Sequence, residues 1–368
     1  MSSSAKNLLI LALVLVFLGL IILSSAGIAE GQRKFDSPYY YLFHQFLNGA
    51  LPGFFFLLIF SKINYKFWRK ISLPILIFNL FLLLAVFSSH FGFSAKGASR
   101  WIGLGFFSFQ PAETLKFSLI IYFAAWFSGR SEKMKDWSYS VFPFFIVLGF
   151  VGLLLALQPD VGTLGIVVLI ALAMYFFAGA KASHFFSLIA VLMASFFVLI
   201  NLAPYRFNRF LAFFNPTADP QGISYHINQA LLGIGKGGIF GVGFGQSQQK
   251  LLSFLPETVG DSIFVVVAEE LGIIGAGILI ILILSLIVQL VRIAQKAPDR
   301  FSQLFLLGMA VWIAGQTFVN IGAITGLMPL TGIPLPFISY GGTSLAMLLG
   351  GLGIALNIAN NSKLKTRR

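Results

Sequence analysis

The chain is dominated by apolar stretches of the length that crosses a lipid bilayer as a helix, roughly 20 residues. Short segments that carry nearly all of the charge separate them. The apolar stretches lie at residues 8–28, 41–60, 71–89, 111–128, 140–157, 164–180, 185–203, 263–291, 302–322 and 341–360. A transmembrane β-barrel would show segments of about ten residues with alternating polarity instead. The pattern therefore predicts an all-α polytopic membrane protein with about ten transmembrane helices, in a single domain over residues 1–368.

Composition excludes a water-soluble fold. Of the 368 residues, 58% are hydrophobic and 10% are charged, and the mean hydropathy is +0.90. A soluble core with a polar shell does not need this much apolar side chain. The net charge of +13 would suggest nucleic acid as a partner of a soluble domain. In a membrane protein with short loops it indicates topology and contact with anionic membrane lipids, so no nucleic acid is expected.

The basic residues predict which side of the membrane each loop occupies. If the N terminus is cytoplasmic, the segments on that side hold 16 basic and three acidic residues, and the opposite side holds nine of each. Cytoplasmic loops carry the excess of Lys and Arg in membrane proteins. Both termini are therefore predicted to be cytoplasmic. The large loop at residues 204–262, between the seventh and eighth spans, is then extracytoplasmic, and loops of this length in compact proteins are usually functional.

Several kinds of site can be excluded from residue types alone. The chain has no cysteine, which rules out disulfides and thiolate chemistry. Its four histidines are scattered and form no HExxH pair, which argues against a helix-borne zinc site. The glycine-rich run Gly233–Gly245 is not a nucleotide-binding P-loop, because Lys236 is followed by Gly237 instead of Ser or Thr.

Acidic residues at the outer ends of spans are the main chemical candidates. Glu257 and Asp261 lie four residues apart just before the eighth span. Helical backbone from Asp261 onward would direct Asp261 and Glu269 toward one cleft. Glu257 has a structural alternative, as an acid that interacts favourably with the positive end of the helix dipole.

Two further carboxylates have structural alternatives of their own. Glu113 and Lys116, three residues apart on one helical face, form either a structural ion pair or part of a site, because ionisable residues within spans are costly and often functional. Asp160 ends the fifth span and is most simply an N-cap of the sixth.

Basic residues and irregular backbone complete the predicted outer surface. Basic side chains suit the binding of phosphate groups; the candidates are Arg100 in a glycine-rich loop, and Arg206, Arg209 and Lys250 in the large loop. The last outer loop, Gly326–Leu345, contains three prolines. Irregular backbone near membrane depth is tolerated where it is buried in protein or lines a cavity, so this loop is predicted to wall a polar site.

Six segments, in this order, resemble the signature segments of the SEDS family, the FtsW/RodA peptidoglycan polymerases. They read QPAETLKF, QPDVGT, FFNPTADPQGISY, GKGGIFGVGFG, LPETVGDSIFVVVAEELG and GIPLPFISYGGTSL. The similarity runs from about the first span to the last. PYYYLFHQ, DPQGISY and GFGQSQQK are more similar to the FtsW division branch than to the RodA elongation branch.

The resemblance implies a peptidoglycan glycosyltransferase that polymerises lipid II on the outer face of the cytoplasmic membrane, with a class B penicillin-binding protein as partner. By the family pattern Asp261 is the essential acid, and Glu257, Glu269, Glu113 and Lys116 match charged family positions. Asp261 suits a general base, and cations or a bound divalent metal would neutralise the leaving pyrophosphate. The metal question stays open, as does the choice between base and metal ligand.

The sequence departs from the family pattern, and a second function competes with polymerisation. Val259 and Gly260 replace a His-Thr pair that precedes the key acid in many members, Phe43 and His44 replace a common basic pair, and His226 stands where Gln is usual. A lipid II flippase would also have ionisable residues and broken helices, but it needs a polar path through the bilayer midplane. The spans at 71–89 and 164–180 carry no charge, which favours a polymerase.

Overall fold

The computed structural model describes residues 1–88, 92–95, 98–104, 107–130, 136–201, 207, 213–214, 224–252 and 254–365. Its helices are α1 Ser3–Ala26, α2 Ile28–Phe35, α3 Tyr40–Gln45, α4 Leu51–Lys62, α5 Tyr65–Lys70, α6 Ser72–Ala85, α7 Pro111–Ser128, α8 Trp137–Leu157, α9 Val161–Phe177, α10 Ala182–Asn201, α11 Tyr225–Gly237, α12 Gln248–Leu251, α13 Ile263–Gln295, α14 Arg300–Ile324 and α15 Gly342–Lys365. A π-helical turn, Phe46–Ala50, joins α3 to α4.

Each of the ten predicted spans corresponds to helical structure. Six helical segments are long and apolar enough to cross a membrane: Ser3–Ala26, Tyr40–Lys62, Trp137–Leu157, Ile263–Gln295, Arg300–Ile324 and Gly342–Asn361. Shorter apolar helices occupy Ser72–Ala85, Val161–Phe177 and Ala182–Ser195. The one remaining predicted span, at residues 111–128, corresponds to α7, which carries the Glu113 and Lys116 charges. The protein is a polytopic helical membrane protein, as predicted.

Both termini lie at the same end of the helical bundle. The Ser2 backbone N–H donates to Asn360 Oδ1 at 2.9 Å, and the Ser2 hydroxyl donates to the Ala359 carbonyl at 2.9 Å. At the opposite end of α1, the Thr258 hydroxyl donates to the Ala26 carbonyl. The segment before α13, which contains Glu257 and Asp261, is therefore at the end of the bundle away from the termini. Termini at the same end of the bundle agree with an even number of membrane-spanning helices.

Helices α1, α7, α13, α14 and α15 form the centre of the bundle. α13 packs against α14, α1 and α11, while α15 packs against α4 and α1, and α14 packs against α7 and α9. Their contact faces are mostly apolar, and side chains such as Leu15, Ile283, Phe305 and Leu352 are fully buried. At the end where the termini lie, Asp299 caps α14 by accepting from the Ser302 backbone and hydroxyl and from the Tyr65 hydroxyl. Burial opposes ionisation of Asp299, but these hydrogen bonds outweigh it and hold the pKa below its usual value.

A small antiparallel sheet follows α6, where the sequence predicted a glycine-rich loop around Arg100. Its strands are β1 Gly92–Ala95, β2 Ala98–Leu104 and β3 Phe107–Phe109, in the order β1-β2-β3. Gly92 pairs with Ile102, which pairs with Phe109. The strand β2 contains Trp101 and Ile102, residue types that favour extended backbone, and the short connections let neighbouring segments pair. The hairpins place Arg100 in a strand beside the ends of α8 and α9.

The glycine-rich run that is not a P-loop packs against a break in α13. Gly272, at φ +67°, interrupts the helix. The broken turn leaves carbonyls free, and those of Glu269 and Glu270 accept from Val242 and Gly243 at 2.9 and 3.1 Å. A Cβ on Gly241 would lie 2.1 Å from the Glu270 carbonyl oxygen, so only glycine permits this contact. These glycines thus allow the backbone of the glycine-rich run to pack directly against the backbone of α13. The kink at Gly272 was not predicted from the sequence.

Candidate functional site

Asp261 lies in a turn that three residues from two other parts of the chain hold in place. Asn320 of α14 donates to the Asp261 carbonyl at 2.7 Å and also to the Ile333 carbonyl at 2.7 Å. The Ser339 hydroxyl donates to the Gly260 carbonyl at 2.7 Å, and the Tyr340 N–H donates to the Val259 carbonyl at 2.8 Å. The backbone beneath the carboxylate is therefore fixed from several sides.

The proline-containing loop between α14 and α15 walls this site, as predicted. Ile333, Leu335 and Ile338 are buried among the helices, although the backbone here is irregular. A Cβ on Gly332 would lie 3.9 Å from Asp261 Oδ2, so the loop reaches the carboxylate itself. Burial raises the pKa of Tyr340, at the end of the loop, to about 12, which keeps this phenol neutral. The wall next to Asp261 is thus built from neutral groups of the loop.

His226 and Ser262 bring two further polar groups to Asp261. His226, in the first turn of α11, has its Nε2 2.6 Å from the Ser262 Oγ. The Ser262 hydroxyl lies 3.5 Å from Asp261 Oδ1, at the limit of a hydrogen bond. Helix α13 begins at Ile263 with Ser262 as its N-cap residue, so Asp261 precedes the helix. His226, noted in the sequence only as a departure from the family pattern, therefore belongs to the candidate site.

Glu257 lies beside Asp261 along the chain but faces a different environment. Its backbone is left-handed, at φ 54°, and its carbonyl accepts from the Gly260 and Ser262 N–H groups. Glu257 lies before the first turn of α13, which itself contains no acidic residue, and its interaction with the helix dipole stays a prediction. Its side chain lines a cavity of about 300 Å³.

The cavity beside Glu257 contains basic groups that the sequence did not single out. Glu30, Arg33 and Lys34 of α2 line it, and Lys34 pairs with Glu30 at 2.5 Å. α2 immediately follows the first span, at the end of the bundle where Asp261 lies. Lys250 also lines the cavity, but it is buried, and Arg33 is the basic side chain of this lining that is in none of the ion pairs found among the described residues.

The Glu113–Lys116 pair is buried, and hydrogen bonds extend it toward the proline-containing loop. Lys116 Nζ lies 2.8 Å from Glu113 Oε1 and 3.0 Å from Gln316 Oε1, and it faces the Trp312 ring. Gln316 in turn donates to the Pro334 carbonyl at 2.9 Å. The predicted pairing is confirmed. It forms part of a continuous connection between α7, α14 and the loop beside Asp261.

Lys250 does not offer its charge to a phosphate group at the surface. It is 2% exposed, and its ammonium donates to Glu270 and to the Ser25 hydroxyl of α1. Ser25 also donates to the Glu270 carboxylate at 2.7 Å. The expectation of a phosphate-binding role does not fit this burial, because Glu270 already neutralises Lys250. Sequence reasoning also missed Glu270, which adjoins Glu269.

Glu269 is held by the segment around α12. It is fully buried and accepts from the Ser247 hydroxyl at 2.5 Å and from the Gln248 backbone at 3.0 Å. The proposed common cleft of Asp261 and Glu269 required helix from Asp261 onward, whereas α13 begins two residues later. Glu269 and Glu270 instead anchor the segment around α12 onto the first half of α13.

Arg100 and Asp160 meet where strand β2 approaches the junction between α8 and α9. Asp160 accepts from the Thr163 N–H at 3.3 Å and caps α9, as the sequence predicted. Arg100 lies 3.8 Å from Asp160 and donates to the Gln158 and Pro159 carbonyls. Its guanidinium is therefore largely engaged within the protein. Arg206 and Arg209 lie outside the described residues.

The described residues supply few protein ligands for a metal. No three His, Asp or Glu side chains come together among them. A divalent cation at Asp261 would therefore depend on substrate phosphates for most of its ligands, which is a common arrangement for Mg²⁺.

Polar residues at helical spacing could have revealed part of this network from the sequence. Trp312, Gln316 and Asn320 follow one another at intervals of four on α14, so they lie on one helical face. Polar groups on one face of a span usually face the bundle interior. Ser25 gave no such signal, because a lone serine in a span is tolerated without a special role.

Fold and site together define a polytopic helical membrane protein whose carboxylate-centred site opens at the end of the bundle opposite the termini. The cell cycle protein family FtsW/RodA/SpoVE matches residues 5–364. The chain therefore belongs to this family, and the similarity covers nearly its whole length.

Individual relatives agree with this assignment. A probable peptidoglycan glycosyltransferase FtsW of Geobacter sulfurreducens is 37% identical over 97% of this chain and 95% of its own. The stage V sporulation protein E of Bacillus subtilis is 36% identical over 97% of both chains. These relatives support the resemblance to the FtsW branch.

Solved structures share the fold. A chain from a study of how a peptidoglycan synthase complex coordinates polymerization and crosslinking matches with a TM-score of 0.80 and 29% identity, over 97% of this chain and 98% of that chain. The rod shape determining protein RodA of Thermus thermophilus matches with a TM-score of 0.70 and 28% identity, over 96% of both chains.

Proposed function

We propose that this protein is a peptidoglycan glycosyltransferase that polymerises lipid II at the outer face of the cytoplasmic membrane, in cell division. The observation that carries the proposal is the placement of Asp261: a half-buried carboxylate in a turn fixed by Asn320, Ser339 and Tyr340, at the end of the bundle opposite the predicted cytoplasmic termini. Family membership supports the same reaction.

The reaction joins an acceptor sugar hydroxyl to the anomeric carbon of a lipid-linked donor. A new carbon–oxygen bond forms, the bond between that carbon and the phosphate oxygen breaks, and the undecaprenyl pyrophosphate leaves with the electron pair. The ionised Asp261 takes the hydroxyl proton as the bond forms. A divalent cation on Asp261 and the substrate phosphates would neutralise the leaving group.

Four of the other candidate residues have proposed supporting roles. The Glu113–Lys116 pair fixes the proline-containing loop through Gln316 and Pro334. Asp160 and Arg100 hold the α8–α9 junction, where the start of α9 approaches Thr331 of the same loop. Arg33 borders the cavity next to Glu257 and takes over the phosphate-binding role first expected of Lys250.

Polymerisation also needs an acceptor strand and, by family analogy, a transpeptidase. We propose a class B penicillin-binding protein as the partner. A related chain comes from a complex that coordinates polymerization and crosslinking. Lipid-facing surface is abundant for a single-span partner: Ile278, Ile281 and Leu284 of α13 are all exposed.

Purified protein supplied with labelled lipid II and its transpeptidase partner tests this function. We expect a ladder of glycan products on gel electrophoresis. Proteoliposomes with fluorescent lipid II in both leaflets test the flippase alternative. Movement of lipid II between leaflets without any ladder would contradict a polymerase and favour a transporter.

His226 is predicted to position Asp261 through Ser262. His226→Leu removes the partner of the Ser262 hydroxyl, whereas His226→Gln retains a hydrogen-bonding group. We expect roughly tenfold lower kcat for the Leu variant with KM nearly unchanged, the size of effect expected for the loss of one hydrogen bond. The Gln variant should keep most of the activity.

Gln229→Leu, one turn further along α11, is the matched control for disturbance of the helix. Initial rates of polymerisation at several lipid II concentrations separate kcat from KM. Equal loss in the Leu and Gln variants, or a change confined to KM, would show that His226 does not act through hydrogen bonding to Ser262.

A further inference from the structure

A second cavity lies at the end of the bundle where the termini lie, far along the chain from the Asp261 site. Its volume is about 520 Å³, within the range of small-molecule sites. Four helical elements contribute to it: α5, α6, α7 and α8. It is lined by Arg69, Ser72, Leu73, Tyr122, Ala125, Trp126, Arg130 and Pro143.

The position of the cavity follows from the ends of these helices. Tyr65, at the start of α5, donates its N–H to Asn357 near the end of α15, and Ser2 binds Asn360 one turn further on. Arg69 lies in the last turn of α5, and Arg130 follows the end of α7. The cavity is therefore at the predicted cytoplasmic membrane interface.

Two guanidinium groups give this cavity a positive charge that the described part of the protein does not neutralise. Arg69 and Arg130 are both exposed, and none of the ion pairs found among the described residues includes either of them. Asp299 is close enough for Arg69 to lower its pKa, but its carboxylate already accepts hydrogen bonds from Tyr65 and Ser302. Both guanidiniums thus keep donors for a ligand.

Aromatic and apolar surfaces surround the two arginines. Arg130 lies over the Trp126 ring at 5.4 Å, and Tyr122 stacks on Trp126 with 6.0 Å between ring centroids. Aromatic side chains of this kind gather at the membrane interface. Leu73 of α6, in the lining, is 50% exposed, and Phe142 of α8, next to the lining residue Pro143, is 64% exposed. A ligand with an anionic head and apolar chains would satisfy both surfaces.

We propose that this cavity binds the phosphate headgroup of an anionic glycerophospholipid of the cytoplasmic leaflet. The two guanidiniums bind the phosphate oxygens, for which their fork geometry is suited. The acyl chains lie against the exposed apolar faces of α6 and α8. Basic pockets between membrane helices on the cytoplasmic side bind acidic lipid headgroups in this way. The site is independent of the proposed polymerase reaction.

Native mass spectrometry of the full chain, titrated in detergent with phosphatidylglycerol or phosphatidylcholine, tests the proposal. The double variant Arg69→Gln/Arg130→Gln should bind phosphatidylglycerol about 30-fold more weakly than the wild type, and each single variant about fivefold more weakly. Weak binding of phosphatidylcholine should be the same in all of them. Lys62→Gln/Lys66→Gln removes the same charge from nearby residues outside the cavity and should leave phosphatidylglycerol binding nearly unchanged.

Several outcomes would overturn the assignment. Equal affinity of the wild type and the double arginine variant would show that the cavity is not the lipid site. An equal loss of affinity for phosphatidylglycerol in the lysine and arginine double variants would reveal only nonspecific attraction of the lipid to surface charge. Displacement of phosphatidylglycerol by an equal concentration of inorganic phosphate would identify a free-phosphate site. Thermal unfolding of each variant in the same detergent verifies that it is folded.

Discussion

Replacing Asp261 by Asn is expected to reduce the rate of glycan polymerisation by a factor of about 10² to 10⁴, the usual contribution of a general base. The two side chains have nearly the same shape, but the amide cannot accept the acceptor proton or hold a cation with full negative charge. The Asp261 carbonyl would keep its hydrogen bond from Asn320, so the turn should persist. The measurement is the initial rate of ladder formation from labelled lipid II, with the transpeptidase partner present.

Glu257→Gln is the matched control, because it removes a carboxylate four residues away on the same outer segment. We expect a smaller effect from this change, since Glu257 lines the neighbouring cavity. Equal rates for the wild type and Asp261→Asn would remove Asp261 from the mechanism. A loss of activity accompanied by a lower unfolding temperature would indicate damage to the fold and would not support a base.

The sequence predicted the spans and the location of the acidic segment because both depend on strong local signals. Runs of apolar residues set the helices, and the basic residues set their orientation. The capping role of Asp160 and the pairing of Glu113 with Lys116 also depend on neighbours within three residues of one another. Such features are readable without knowledge of the tertiary structure.

Features that depend on distant segments could not be predicted in the same way. Lys250 pairs with Glu270 and with Ser25, which lies 225 residues away along the chain. Whether a lysine faces solvent or a buried carboxylate is decided by this packing. The kink at Gly272 likewise needs the glycine-rich segment to satisfy the freed carbonyls. His226 reached the site only because α11 packs against α13.

The buried Lys250–Glu270 pair should have the largest effect on stability. Lys250→Met leaves the Glu270 carboxylate buried without its counter-charge, although Ser25 and the Ser247 backbone still donate to it. Breaking a buried ion pair from one side costs about 3 to 5 kcal/mol. We expect a marked fall in the thermal unfolding temperature of the detergent-solubilised protein.

The double variant Lys250→Met/Glu270→Leu separates loss of the pair from loss of packing. It removes both charges and retains much of the side-chain volume, so its stability should return most of the way to that of the wild type. Proteins in which a buried ion pair is replaced by apolar residues of similar volume often keep or gain stability. Lys236→Met, at an exposed lysine of α11, should change little. If the double variant is as unstable as Lys250→Met, the unpaired charge of Glu270 is not the cause of the instability. The hydrogen bonds from Ser25 and Ser247 to Glu270 would then be what holds α1 and the α12 segment against α13. The α12 segment follows α11, which carries His226, so the polymerisation rate of each variant should be measured below its own unfolding temperature.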